Sequence, residues 1–311
     1  MSSSVENLRK SLDKALSLID DSHLVPYRKD NTQKDTHLNF AQSSSLLDRC
    51  SSVEKQYQNV KPILRIIHHP ACSGGSLISK FLSSMPNVTL LSEIHPNTEL
   101  HLNWEKPHYA PTDIITLARY SKVYGIDELT NKLFNDSIIK LSQHTRELGG
   151  YLILRDHTHA DFFTTGGEMK SSLVNSLHQY FTIKSVMTVR NPVDSYLSLV
   201  KNDWVHFDPK TFEEYCARVK MMLEIYKDVP VFKYEEIIAN PHQQMEELCK
   251  VLEIPFSDNF DSIFGTIRVT GDSGRSSNII SSKTRRKVDE SFLKEAAASD
   301  SYKTLCNKFG Y

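Results

Sequence analysis

From residue 62 onward, short runs of consecutive apolar residues alternate with longer segments whose apolar positions recur every three or four residues. The runs predict strands over Ile63–His68, Val88–Leu91, Tyr151–Leu154, Ile183–Val189 and Val229–Phe232. The helical spacing predicts helices over 75–85, 127–148, 169–180, 192–201, 209–227 and 240–252. Strands that are apolar throughout are buried on both faces, and strands separated by helices pair in parallel through crossovers. The expected fold class is α/β, a parallel sheet flanked by helices. Residues 1–60 break the pattern: they are polar, rich in Ser, Asp, Lys and Gln, with one helical stripe of Leu8, Leu12, Leu16 and Ile19 followed by an irregular stretch over 21–50. The predicted organisation is thus a polar N-terminal extension, 1–60, with one amphipathic helix, and an α/β domain over 61–311. The stripe is assigned to packing against that domain or a partner.

Composition narrows the function classes. Among 311 residues, 37 basic and 38 acidic side chains nearly cancel, which argues against a nucleic-acid or membrane-surface protein. The five cysteines (Cys50, Cys72, Cys216, Cys249 and Cys306) are scattered without a CxxC pair, as expected in a reducing compartment with no disulfide framework or zinc site. The first residues lack the apolar core of a signal peptide, and no apolar run approaches membrane-spanning length. The expectation is a soluble, cytoplasmic protein, with a homo-oligomer left open. The 13 histidines show no HxH-plus-carboxylate spacing, and His157-x-His159 alone does not make a metal site.

In parallel sheets ligands sit at the carboxyl ends of the strands. Here those ends read His68-His69-Pro70, Ser92-Glu93, Arg155-Asp156-His157, Arg190-Asn191-Pro192 and Lys233-Tyr234-Glu235. The first runs into Ser73-Gly74-Gly75-Ser76-Leu77, a small-residue turn feeding a helix. Such a turn leaves backbone N–H groups and the positive end of the helix dipole facing one spot, an anion site. It lacks the lysine of a GxxxxGK[ST] phosphate loop. His68 and His69 are expected to face this loop, as structural residues. Arg190 closes a second strand, Pro192 suits the first position of the following helix, and Ser198 lies about two turns along it. An Arg and a Ser so placed can grip one phosphate, or serve only as a strand cap and a helix serine.

Arg190-Asn191-Pro192-x-Asp194-x-x-x-Ser198 resembles the 3′-phosphate motif of sulfotransferases that use 3′-phosphoadenosine 5′-phosphosulfate (PAPS). Pro70 to Ser76 resembles that family's 5′-phosphosulfate loop. Arg268-Val269-Thr270-Gly271-Asp272-Ser273-Gly274-Arg275 is similar to the segment that closes over the nucleotide, and Tyr234-Glu235-Glu236 with Asn240-Pro241 to the family's run between those motifs. The matches come in family order over about residues 62–290. The resemblance implies a P-loop-like fold of the sulfotransferase type and PAPS as co-substrate without a metal. It implies nucleotide contacts from Ser73, Gly74, Gly75, Ser76, Leu77, Arg190, Ser198, Gly274 and Arg275. It also implies a base just after a central strand. His157 falls there, His159 is the next choice, and Glu93 is a rival because some members use a Glu. The acceptor is expected to be a hydroxyl of a small molecule or glycan, met by loops over 95–125 and 157–170 together with the N-terminal extension. The basic run Lys283–Lys287 is a solvated helix start or an added charge for the phosphates. Cys72 stands where the better-known members carry the loop lysine. That departure keeps open a relative that binds PAPS or its product, 3′-phosphoadenosine 5′-phosphate (PAP), without transferring sulfate. A nucleotide or small-molecule kinase is disfavoured by the missing lysine and the lack of a magnesium-binding Asp after a strand.

Overall fold

A computed structural model describes residues 60–271 and 288–311 of the chain. The Leu8–Ile19 stripe, the irregular 21–50 stretch, Gly274, Arg275 and the Lys283–Lys287 run lie outside the described residues. Contacts divide the chain at Lys61/Pro62, and the second unit, Pro62–Tyr311, holds the sheet and every described helix.

Five strands, β1 (Ile63–His68), β2 (Val88–Ile94), β3 (Tyr151–Asp156), β4 (Thr182–Val189) and β5 (Val231–Lys233), form one sheet in the order β2-β3-β1-β4-β5. Every neighbouring pair is parallel. The helices α1 (Gly75–Ser83), α2 (Ile114–Tyr120), α3 (Ile126–Glu147), α4 (Thr158–Phe162), α5 (Ser172–Leu177), α6 (Pro192–Lys201), α7 (Phe212–Ile225), α8 (Tyr234–Ala239), α9 (Pro241–Leu252) and α10 (Phe260–Ile263) fill the crossovers and flanks, and α11 (Glu290–Ala298) and α12 (Asp300–Phe309) end the domain.

Pleating decides which face each strand residue serves. Leu64 and Ile66 of β1 pack with Leu152 and Leu154 of β3 and with Phe134 and Leu173 from α3 and α5. On the other face Ile67, Ile153 and Val186 pack against Ile78 and Phe81 of α1 and Met245 and Leu248 of α9. A third cluster lies toward the carboxyl ends of the strands, where Val193 and Leu199 of α6 and Phe212 and Met222 of α7 meet Leu305 of α12. Local signals start the helices: Asn191 caps α6 by accepting from Val193 N–H with Pro192 behind it, and Thr211 caps α7 by accepting from Glu214 N–H.

Several elements depart from the sequence expectations, each for a local reason. β2 runs on to Ile94 and β3 to Asp156, because polar Ser92, Glu93, Arg155 and Asp156 continue the strands past the apolar runs. β2 is irregular between Leu91 and Ile94, where Glu93 adopts a left-handed φ of 58°. The helix expected over 169–180 is only Ser172–Leu177, since Met169 has φ 47° and Ser171 caps the start by accepting from Val174 N–H. β5 begins at Val231 rather than Val229; Pro230 has no N–H to pair, though its carbonyl accepts from Met187 N–H at 2.9 Å. α2 within the expected 95–125 loop, α4 within the expected 157–170 loop, α8, α10 and the C-terminal α11 and α12 were not anticipated. The strand preceding His157 is β3, beside β1, which holds the centre of the sheet.

Candidate active site

β1 ends at His68, and the chain then turns through a loop of left-handed backbone. Cys72 has φ 63° and Gly74 φ 97°, with Ser73 N–H donating to Pro70 O at 3.2 Å. α1 begins at Gly75 without a side-chain cap at Gly74, whose carbonyl accepts from Leu77 N–H at 3.0 Å and Ile78 N–H at 3.2 Å. The N–H groups of Gly75 and Ser76 precede the first bond of the helix ladder and stand at its positive end, the arrangement an anion requires. Two rings press on this backbone. A Cβ added at Gly74 would overlap Tyr234 Cδ2 and stand 2.7 Å from Cε2, and one at Gly75 would stand 2.6 Å from His69 Nε2. Both glycines are therefore needed for close packing, beyond the turn itself. Ser73 Oγ, fully buried, has no hydrogen-bond partner among the described residues.

His69 is fixed as firmly as the loop it supports. Its Nδ1 lies 3.0 Å from Pro70 O, and its Nε2 accepts from Arg155 Nε at 2.8 Å. Burial, and then the Arg155 charge, push its pKa well below the ordinary imidazole value, so the ring is neutral and suited to accept. Arg155, at the end of β3 and 3 % exposed, also donates from Nη1 to Ser92 Oγ at 2.9 Å and pairs through Nη2 with Glu93. A cation thus sits behind the loop that carries Cys72, joined to it through His69. The Glu93 carboxyl is pushed up to about 7, by burial above all and by Asp156, against the opposing pull of Arg155.

Arg190 leaves β4 toward the same loop. Its Nη1 donates to Cys72 O at 3.3 Å, and its guanidinium lies over the Tyr234 ring at 5.0 Å. Arg190, Tyr234 and Gly74 form one stack that joins the ends of β4 and β5 to the turn after β1. Ser198 lies half-buried in α6. From the far end of the chain, Thr270 and Gly271 come to rest here. Thr270 Oγ1 donates to Ser92 O at 2.8 Å, Ser92 Oγ to Thr270 O at 3.0 Å, and Ser76 Oγ to Gly271 O at 3.2 Å. Gly271 has φ 64°, and a Cβ there would overlap Glu93 Cγ and stand 2.9 Å from its Cδ.

His157 follows β3 at the N-cap of α4, its N–H donating to Ile94 O at 3.0 Å. Burial, then His95, lower its pKa to about 4, so it is neutral at pH 7. His159 lies two residues on, its ring 6.1 Å from that of His157 and nearly parallel to it. Its Nε2 is 2.9 Å from His206 Nδ1, which turns it toward the loop after α6, and burial with His157 lowers its pKa to about 3. His95 Nε2 lies 3.1 Å from Asp161. The structure therefore gathers Ser73–Leu77, Arg190 and Glu93 around the turn after β1, with His157 at the end of the neighbouring strand. His159 stands deeper, engaged by another histidine. His69, Arg155 and Tyr234 were not among the expected site residues, although all three stand among the strand-end residues read from the sequence. His68, expected to face the loop, bonds across the sheet instead. Among the described residues no three His, Cys, Asp or Glu side chains are placed to hold a metal ion, and no helix is long and apolar enough to cross a membrane.

The family model described as “Sulfotransferase family” matches residues 66–258. No curated protein matches the chain by sequence. Among solved structures, the sulfotransferase domain from the curacin biosynthetic pathway is 17 % identical and superposes with a TM-score of 0.50 over 81 % of this chain and 98 % of that one. The sulfotransferase domain of the Synechococcus PCC 7002 olefin synthase is 14 % identical, with a TM-score of 0.46 over 81 % of this chain and 96 % of that one. A mouse sulfotransferase, SULT7A1, solved as a complex with PAP, is 14 % identical, with a TM-score of 0.40 over 79 % of this chain and 88 % of that one.

Proposed function

Because the chain belongs to the sulfotransferase family, we propose that it transfers a sulfuryl group from PAPS to the hydroxyl of a small-molecule or glycan acceptor. The observation that carries this reading is the turn after β1, a helix N-terminus whose backbone is clamped between His69 and Tyr234 with Arg190 stacked on the clamp. The N–H groups at Gly74–Leu77 take the 5′-phosphosulfate, while Arg190, with Ser198 from α6, takes the 3′-phosphate. The Thr270–Gly271 segment, already hydrogen-bonded to Ser76 and Ser92, leads into Gly274 and Arg275, which close over the nucleotide.

The acceptor oxygen attacks sulfur in line with the bridging oxygen of the donor. As the new S–O bond forms, His157 takes the hydroxyl proton; the old S–O bond breaks and its electron pair leaves with the phosphate of PAP. Charge on that leaving oxygen is met by backbone N–H groups and by Arg155 behind the loop, which together stand in for the missing lysine. A neutral His157 is in the form that accepts a proton at any pH above about 4. The charge balance and scattered cysteines favour a cytoplasmic reaction without nucleic-acid or membrane partners.

Isothermal titration with PAP and a sulfate-transfer assay over an acceptor panel test the reading. Arg190→Ala should weaken PAP binding by two orders of magnitude or more, as loss of a buried Arg–phosphate pair costs about 2–5 kcal/mol. His157→Ala should abolish transfer with PAP affinity nearly intact. The acid limb of kcat/KM should fall near pH 4 for His157; a limb near pH 7, with Glu93→Gln inactive, would make Glu93 the base. A second reading is favoured by Cys72 in the lysine position: a protein that binds PAPS and PAP but transfers nothing. Tight binding with no product from any acceptor would establish it.

A further inference from the structure

Three adjacent strands present a serine, a histidine and an aspartate on one face of the sheet. Asp156 ends β3, His68 ends β1, and Ser185 lies within β4. All three share the side of Leu154, Ile66 and Ile183 by strand alternation. The registers Ile67↔Arg155 and Ile66↔Ser185 bring them together across the sheet. His68 Nδ1 lies 2.7 Å from Asp156 Oδ2, and His68 Nε2 lies 3.1 Å from Ser185 Oγ. Tyr226 stacks on the imidazole at 4.1 Å between centroids and reaches Asp156 Oδ2 at 3.2 Å. In the tautomer with the proton on Nδ1, facing the carboxylate, Nε2 would accept from the serine, which is the nucleophile–base–orienter arrangement of acyl-transfer enzymes.

His68 and Asp156 are fully buried, and Ser185 is the member that is partly exposed. A cavity of about 600 Å³ adjoins it, lined by His68, Ser185 and Tyr226, by aliphatic Val174, Ile183 and Val229, and by the charged Lys170, Lys184 and Asp228. β5 is short: it pairs with β4 only over Met187–Val189, and the segment before it, Asp228–Pro230, borders the cavity. Met187 N–H donates to Pro230 O across that edge. Since N–H directions alternate along a strand, the N–H of Ser185, two residues back, faces the same way.

We propose that Ser185, His68 and Asp156 form a second catalytic centre, which hydrolyses carboxylic esters of short aliphatic acids. Ser185 Oγ attacks the ester carbonyl carbon while His68 Nε2 takes its proton, and the carbonyl electron pair moves to oxygen facing Ser185 N–H. Collapse breaks the ester C–O bond, His68 returns the proton to the departing alcohol, and an acyl-Ser185 remains. A water molecule, deprotonated by His68, then attacks the acyl group; its C–O bond to Ser185 breaks, the proton returns to Oγ, and the carboxylic acid leaves. The sulfuryl-transfer reading uses none of these three side chains, so the two activities stand or fall separately.

The test uses the full chain with a fluorophosphonate probe and p-nitrophenyl butyrate. The probe should label Ser185, located by peptide mapping, and the ester should be hydrolysed with a burst of nitrophenol. Ser185→Ala should lose both while keeping its melting temperature and PAP affinity, and His68→Gln should slow hydrolysis at least a hundredfold. Absence of label at Ser185, or hydrolysis undiminished in Ser185→Ala, overturns the proposal and leaves a buried polar network. Should His68→Gln fail to fold, Ser185→Ala, which removes one oxygen, still decides.

Discussion

Replacing Gly74 by alanine tests whether the turn after β1 is held by what presses on it. Gly74 and Gly125 both stand at helix N-caps in left-handed conformation, with φ 97° and 68°. At Gly125 an added Cβ meets nothing within 4 Å, so Gly125→Ala carries backbone strain alone, about 1 kcal/mol. At Gly74 the same methyl would overlap Tyr234 Cδ2 and stand 2.7 Å from Cε2. The ring cannot simply swing aside, being 5 % exposed and covered by Arg190. Overpacking of this kind adds about 1–3 kcal/mol, which brings Gly74→Ala to about 3 kcal/mol in all. In a domain of this size each kcal/mol lowers the melting temperature by about 2–4 °C. Calorimetric scans should therefore show a fall of roughly 6–12 °C for Gly74→Ala and roughly 2–4 °C for Gly125→Ala. PAP affinity should drop only in the first, because displacing Tyr234 displaces Arg190. Adding Tyr234→Leu to Gly74→Ala should restore part of the lost melting temperature. Equal shifts in the two single variants, or no recovery in the double, would refute the clamp.

Three further outcomes come from the electrostatics and from the docked segment. His157 and His159, lowered from 6.5 to about 4 and about 3, bind fewer protons folded than unfolded, so the stability they contribute is complete above pH 6.5 and is lost as the pH falls through those values. His159→Gln should flatten the slope of urea midpoint against pH over that window. Glu93 has the opposite sign: raised from 4.5 to about 7, it favours the fold below pH 4.5 and loses that contribution as the pH rises through 7, so Glu93→Gln should gain stability relative to wild type at pH 8 but not at pH 4. Gly271→Ala, whose methyl would overlap Glu93 Cγ, should detach the segment and speed amide hydrogen exchange over 267–271; unchanged exchange would mean that Glu93 yields instead.

Much of the fold was legible because its strands are continuous apolar runs, a pattern that needs no knowledge of partners. The helix over 192–201 was legible to the residue, since Asn191 and Pro192 mark its start. Strand ends were harder. Arg155 and Asp156 carry charges that hydropathy assigns to a loop, yet they are buried and paired across the sheet. The same holds for the site. Ser73–Ser76 and Arg190 follow from local chemistry at strand ends. The roles of Tyr234 and His69, by contrast, depend on rings packing against glycines, a contact that no single segment announces. The left-handed turn at Glu93 left no signal either, for a glutamate adopts it only under tertiary constraint.

The contacts that gather the site also set when it can exist. His69 meets Arg155 across 86 residues, Cys72 meets Arg190 across 118, and Ser76 meets Gly271 across 195. During synthesis β1 emerges first, yet both strands that flank it in the sheet, β3 and β4, come later. An apolar strand with two open edges is thus exposed while the chain as far as β4 is made, an interval in which a chaperone has most to offer. The turn after β1 completes its walls only when the last of these partners has arrived. Nucleotide that grips it acts on a late step, so its addition should slow unfolding far more than it hastens folding.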